Sequence, residues 1–70
     1  MEEMAIAIRT KMLQNHLTYI WVMDQLRKKK GILCRPDVFS RYLNGNFTDS
    51  GKKVIAAALE ILEDYETRMK

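Results

Sequence analysis

Five side chains between residues 35 and 44 have the chemistry to bind a nucleic acid. Guanidinium, hydroxyl and carboxamide groups hydrogen-bond base edges and phosphate oxygens in duplex DNA. A carboxylate in the same stretch could accept a hydrogen bond only from cytosine and would repel a phosphate. Its ordinary role would be to stabilise the start of a helix. The five residues are Arg35, Asp37, Ser40, Arg41 and Asn44.

A short helix over residues 36–44 is predicted to carry these polar groups. Pro36 lacks the N–H that a first helical position does not need, and Gly45 can adopt the left-handed conformation that ends a helix. Phe39 and Leu43 are four residues apart, so they would share one face and dock it on the rest of the protein. The polar side chains would then face solvent, where a partner could reach them.

The basic residues are concentrated in the middle of the chain. The net charge is only +3, but eight basic residues accompany two acidic ones between Arg27 and Lys53. Lysines at the start of a helix oppose its dipole unless an anion lies nearby, which favours phosphate contacts over the alternative of a solvated charged surface. The predicted phosphate contacts are Lys28, Lys29, Lys30, Lys52 and Lys53.

Two amphipathic helices are predicted ahead of this segment. The first spans residues 4–16, and Thr18 is predicted to cap the second, with Leu17 completing a hydrophobic staple. The second helix would reach about Lys29 and end at Gly31. Its opening residues also favour a strand, but its apolar residues keep helical spacing. The apolar face of the first helix is Ala5, Ile8, Met12, Leu13 and His16, and that of the second is Val22, Met23 and Leu26.

A last helix is predicted over about residues 50–67, with Asp49 or Ser50 as its N-cap. The alanines at 56–58 favour helix and let a neighbouring element approach closely. The sequence therefore predicts an all-α protein. The apolar stripe of the last helix is Val54, Ala58, Ile61, Leu62, Tyr65 and Met69.

Length and composition predict one domain over residues 1–70 and exclude several function classes. A hydrophobic fraction of 47% argues against disorder, and no apolar run is long enough for a membrane span or signal peptide. The lone Cys34 cannot form an internal disulfide, which favours a reducing cytoplasm. His16 and Cys34 lack further ligands at metal spacing, and no catalytic set can be assembled. We therefore expect no enzyme activity, metal, cofactor, small-molecule substrate or membrane partner.

Residues Thr18 to Leu62 resemble the helix-turn-helix domain of phage Cro/repressor-type regulators. The resemblance rests on Thr18 at the entry to the first motif helix and on its apolar pair Val22 and Leu26. It rests also on Phe39-Ser-Arg-Tyr-Leu-Asn-Gly45, which is similar to the end of the family's recognition helix, and on residues 54–62, which match the helix that closes the core. Residues 28–34 form a link several residues longer than the family's tight turn.

The resemblance implies a domain of about four to five helices, with the motif over about residues 18–45 and the closing helix over about 50–67. It implies a transcriptional regulator of a lysis/lysogeny-like switch in the cytoplasm of a bacterial host. Residues 36–44 would be the recognition helix, bound to double-stranded DNA. Operators in this family are usually paired half-sites, so a homodimer or a partner repressor is expected.

Ile20 and Trp21 depart from the family pattern, because these positions are normally polar. Since Val22, Met23 and Leu26 define the inward face, both side chains are predicted to form an exposed surface for a partner protein. Alternatively, Trp21 folds back onto the first or last helix. Some small phage modulators of repression have this fold and act by binding the phage repressor. An anti-repressor or co-repressor is therefore the alternative function.

Overall fold

The computed structural model describes residues 2–68, and all regular structure in that range is helical. Helix α1 spans Glu2–Gln14 and helix α2 spans Tyr19–Gln25, which continues into a π-helical turn, Leu26–Lys30. Helix α3 spans Pro36–Leu43 and helix α4 spans Asp49–Arg68. The prediction of an all-α chain is thereby confirmed.

Helix α4 is the longest element and packs against the other three helices and the π-helical turn. The apolar faces of all five elements meet in one core, in which the largest fully buried side chains come from every helix. The predicted inward face of α2 and most of the predicted stripe of α4 are buried, whereas Met69 lies outside the described residues. The core residues are Ala5, Ile8, Met12, Val22, Met23, Leu26, Phe39, Leu43, Val54, Ile55, Ala58, Ile61 and Leu62.

The ends of the helices follow the capping signals closely. The Thr18 hydroxyl accepts a hydrogen bond from the Trp21 backbone N–H at 3.2 Å, as an N-cap should. Gly31 ends the π-helical turn in a left-handed conformation at φ 66°. At the start of α4 the prediction is wrong by one or two positions, because Thr48 is the cap. Its hydroxyl accepts from the Gly51 N–H at 3.1 Å.

The predicted apolar face of α1 is wrong at its C-terminal end. Leu13 is 78% exposed and His16 is exposed, while Ala5, Ile8 and Met12 are buried. Successive helical residues are separated by about 100°, so Leu13 lies well to the side of Met12. His16 lies beyond the helix and takes a left-handed conformation at φ 56°. The helix therefore ends two residues earlier than the sequence predicts.

The π-helical turn changes where the link between α2 and α3 begins. The second helix is predicted to reach about Lys29 and to end at Gly31, and the chain is indeed helical to Lys30. Of the link taken as residues 28–34 in the comparison with the family, only the part from residue 31 is irregular, and the irregular segment extends to residue 35. The Ile32 N–H donates to the Leu26 carbonyl at 3.1 Å and the Gly31 N–H to that of Arg27 at 3.2 Å. These bonds hold the link against the end of the turn.

Candidate nucleic-acid interface

Helix α3 is anchored by its apolar face. Phe39 is fully buried and its ring meets the ring of Tyr19 edge-on, with centroids 5.6 Å apart at 82°. Leu43, one turn later, is also buried. At about 100° per residue, Arg41 lies nearly opposite the mean direction of these two side chains. It is exposed, so α3 presents a guanidinium at the centre of its outer face.

The other polar residues of α3 surround Arg41. Asp37 and Asn44 are exposed on the same side, and Ser40 is half-buried beside them. The Arg35 Nε lies 3.3 Å from the Asp37 carboxylate, so these two predicted contact residues form an exposed ion pair. Because an ion pair compensates both charges, neither is as free to bind DNA as Arg41.

Helix α1 reaches this surface through Arg9. The Arg9 guanidinium donates a hydrogen bond to the Asn44 side-chain oxygen, and the Asn44 amide nitrogen donates to the Ser40 hydroxyl at 3.4 Å. The two bonds fix the Asn44 amide within the protein. Sequence analysis missed Arg9, because no local signal connects it with a helix 35 residues away. Only the packing of α1 against α3 places it there.

The basic run at the end of α2 is paired with carboxylates. The Lys28 ammonium lies 3.0 Å from one Asp24 oxygen, and the Arg27 guanidinium lies 2.9 Å from the other. Hydrogen bonds from Lys28 and Arg27 hold the pKa of the Asp24 carboxyl below its usual value. The next two lysines turn toward α4. Lys29 lies 3.4 Å from Asp64, and Lys30 lies 2.8 Å from Glu60.

These ion pairs change the predicted distribution of charge. The sequence suggests a basic middle separated from an acidic tail, whereas α4 returns along the π-helical turn and brings its carboxylates to the basic run. Three carboxylates thus offset part of the charge of four cations, because Asp64 also pairs with Arg68. The surface around Lys28, Lys29 and Lys30, which was predicted to be basic and to contact phosphates, therefore carries charges of both signs.

Four basic side chains within residues 2–68 make no ion pair: Arg9, Arg41, Lys52 and Lys53. Arg41 is on α3 and Arg9 contacts its last turn. The two lysines are in the first turn of α4, which approaches α3 closely at Gly51. A Cβ at that glycine would lie 2.8 Å from the Tyr42 ring. The uncompensated positive charge therefore lies on and beside α3.

The residues predicted for partner binding have different environments. Ile20 is 73% exposed, as predicted. Of the two interpretations left open for Trp21, the structure agrees with the second: Trp21 is half-buried and packs edge-on against Tyr65 of α4, with ring centroids 5.1 Å apart at 71°. Trp21 follows the alternative interpretation because its position on α2 directs it toward α4. Ile20 is thus the more accessible of the two.

Other kinds of site are not evident in the part of the chain that the structure describes. Residues 2–68 contain no group of three metal-binding side chains and no helix long and apolar enough to cross a bilayer. Burial raises the pKa of the Cys34 thiol, and the nearby Asp37 carboxylate adds to the rise. No protein-family model, curated protein or solved structure matches this chain.

Proposed function

We propose that this chain is a phage-type helix-turn-helix regulator of transcription that places α3 in the major groove of double-stranded DNA. The observation that carries the proposal is the position of Arg41, exposed directly opposite the buried Phe39 and Leu43. A helix anchored on one side and polar on the other can enter the groove without loss of core packing. An arginine at its centre can bind guanine O6 and N7 with two hydrogen bonds.

The charges around α3 support the same proposal. Arg9, Lys52 and Lys53 flank the helix without carboxylate partners, so they are available to neutralise phosphates on both sides of the groove. The lysines of the basic run have a smaller role in this proposal, because carboxylates offset their charge. Ser40 and Asn44 lie at the edge of the surface, where Arg9 donates a hydrogen bond to Asn44 and Asn44 donates one to Ser40. A regulator of this kind would act in the bacterial cytoplasm on paired half-sites, as a homodimer or with a partner repressor.

Selection of duplexes from a random pool tests the proposal. The full chain should enrich one sequence, and Arg41→Ala should weaken binding to that sequence by about 5- to 150-fold, the value of a bidentate base contact. Arg68→Ala is a matched control, since Arg68 is exposed at the far end of α4 and pairs with Asp64. It should retain the affinity of the unmodified chain. Failure to enrich a sequence, or equal losses from both variants, would count against the proposal.

An anti-repressor that binds a partner repressor is the second candidate, and the exposure of Ile20 favours it. Ile20 is a β-branched side chain that is 73% exposed on α2, so a partner protein can reach it. In that case the chain alone shows no specific DNA affinity in a mobility-shift assay. Adding the chain should instead change the mobility shift of DNA that is bound by a regulator encoded near the gene for this chain. Ile20→Ser should abolish this effect, whereas Arg41→Ala should not.

A further inference from the structure

An open groove lies between the link 31–35, helix α3 and the first turns of α4. Its volume is about 670 Å³, and its lining is mostly apolar. The groove is on the side of α3 that carries Val38 and Tyr42, roughly 60 to 100° around the helix from Arg41. It therefore lies beside the surface proposed to bind DNA and shares Lys53 with it. The apolar lining residues are Ile32, Leu33, Val38, Tyr42 and Val54.

Leu33 is the unusual residue of this groove. It is 83% exposed, more than any other large hydrophobic side chain in residues 2–68. Its neighbours Ile32 and Cys34 are half-buried against the core, and side chains alternate between two sides in an extended segment. The link is thus anchored on both sides of Leu33, which holds this side chain in solvent at the groove. Such a side chain is stabilised only by something that covers it from outside.

The charges at the groove indicate what would cover it. Arg35 and Lys53 line the groove, and no carboxylate is among its lining residues in the described part of the chain. Lys53 has no ion pair within residues 2–68, whereas the Arg35 side chain, which is 81% exposed, pairs with Asp37. An occupant that complements this surface is apolar where it meets Leu33 and acidic where it meets Lys53.

We propose that this groove binds a short amphipathic segment of a partner protein, with its apolar side chains on Leu33 and Tyr42 and a carboxylate at Lys53. DNA does not fit this description, because a duplex offers little apolar surface besides the thymine methyl group. A second copy of this chain is the other occupant to consider, and the sedimentation measurement below distinguishes it. The inference does not depend on the proposed DNA binding.

Designed peptides test the inference with the full chain. The first probe is a helix-forming peptide of about 14 residues, or four turns, with leucines at three- and four-residue steps and glutamates beside them. The second probe has lysine in place of each glutamate. The glutamate peptide should bind and shift the backbone amide resonances of residues 32–35, 38, 42 and 53–54. It should also slow the reaction of the Cys34 thiol with a small alkylating reagent, because Cys34 lines the groove.

Two variants and one control assign the binding to the groove. Leu33→Ser should weaken binding of the glutamate peptide by about tenfold or more. Leu13→Ser makes the same change at another leucine, which is 78% exposed, and should leave the affinity unchanged. Lys53→Glu should weaken binding of the glutamate peptide and strengthen binding of the lysine peptide. All three altered side chains are exposed, so circular dichroism should show the helical content of the unmodified chain.

Four outcomes would overturn the inference. The first is no binding of the glutamate peptide up to about 1 mM, and the second is equal binding of the two peptides. The third is equal affinity of the Leu33→Ser and Leu13→Ser variants. The fourth is a dimer, seen by sedimentation equilibrium, that Leu33→Ser dissociates, since a second copy would then be the occupant.

Discussion

The ion pairs of the basic run lead to a quantitative prediction about salt. Removal of Lys53 should reduce the salt dependence of DNA binding, whereas removal of Lys30 should not. Lys53 makes no ion pair within residues 2–68, while the Lys30 ammonium lies 2.8 Å from the Glu60 carboxylate. Counterions are released from the DNA when a cation neutralises a phosphate. A lysine that is already paired with a carboxylate neutralises less phosphate charge and therefore causes less release.

The expected salt dependence of DNA binding follows from the number of basic side chains without an ion pair. Each phosphate neutralised on duplex DNA contributes about −0.9 to the slope of log affinity against log salt concentration. If Arg9, Lys52 and Lys53 each contact one phosphate while Arg41 contacts a base, the slope is about −2.7. Between about 50 and 200 mM salt, the affinity of the unmodified chain then falls about 40-fold, and that of Lys53→Ala falls about 12-fold.

Fluorescence anisotropy with a labelled duplex, selected from the random pool, measures these slopes. Lys30→Ala is the matched variant, because it also removes one exposed lysine, and its slope should equal that of the unmodified chain. If Lys30→Ala lowers the slope as much as Lys53→Ala does, the ion pairs with α4 do not suppress phosphate binding. The reasoning from paired and unpaired cations would then be wrong.

Two substitutions test the packing that supports α3, and a third tests the backbone conformation at His16. Phe39→Ala should lower the free energy of unfolding by about 3 to 5 kcal/mol, because the ring is fully buried against Tyr19. A domain of this size has a total free energy of unfolding of about 4 to 10 kcal/mol. Urea unfolding of the variant, followed by Trp21 fluorescence, should therefore show little of the cooperative transition. A loss of less than about 1 kcal/mol would contradict the burial of Phe39. Gly51→Ala should lower the melting temperature although alanine favours helix, because its Cβ would lie 2.8 Å from the Tyr42 ring and 3.0 Å from the Asn46 carbonyl. A raised melting temperature would show that α4 can move away from α3 at little cost. His16→Gly should raise the free energy of unfolding by about 0.5 to 1 kcal/mol, since φ 56° is strained for a side chain with a Cβ, and no gain in a thermal melt would refute that strain.

The boundaries of α3 were predictable from sequence because local chemistry determines them. Pro36 begins the helix, and Asn44 and Gly45 end it. The spacing of Phe39 and Leu43 correctly predicts the buried face, which the structure confirms. Thr18 and Gly31 set the limits of the second helical segment in the same way. Each of these signals acts within a few residues of the position that it controls.

The charge distribution was not predictable in this way, because it depends on contacts between distant residues. Lys29 and Asp64 are 35 positions apart, as are Arg9 and Asn44. Nothing in the local sequence indicates that α4 returns past the π-helical turn, or that α1 lies beside the end of α3. For the same reason the sequence left the environment of Trp21 open, and only the contact with Tyr65 decides it.

Nuclear magnetic resonance, with the selected duplex as the ligand, maps the surface of the chain that contacts DNA. The largest chemical-shift changes should occur in residues 36–44, in the Arg41 and Arg9 side chains and in the first turn of α4. Residues 27–30 and Ile20 should change little. Large shifts at residues 27–30 with none at Arg41 would contradict the claim that the outer face of α3 contacts the DNA.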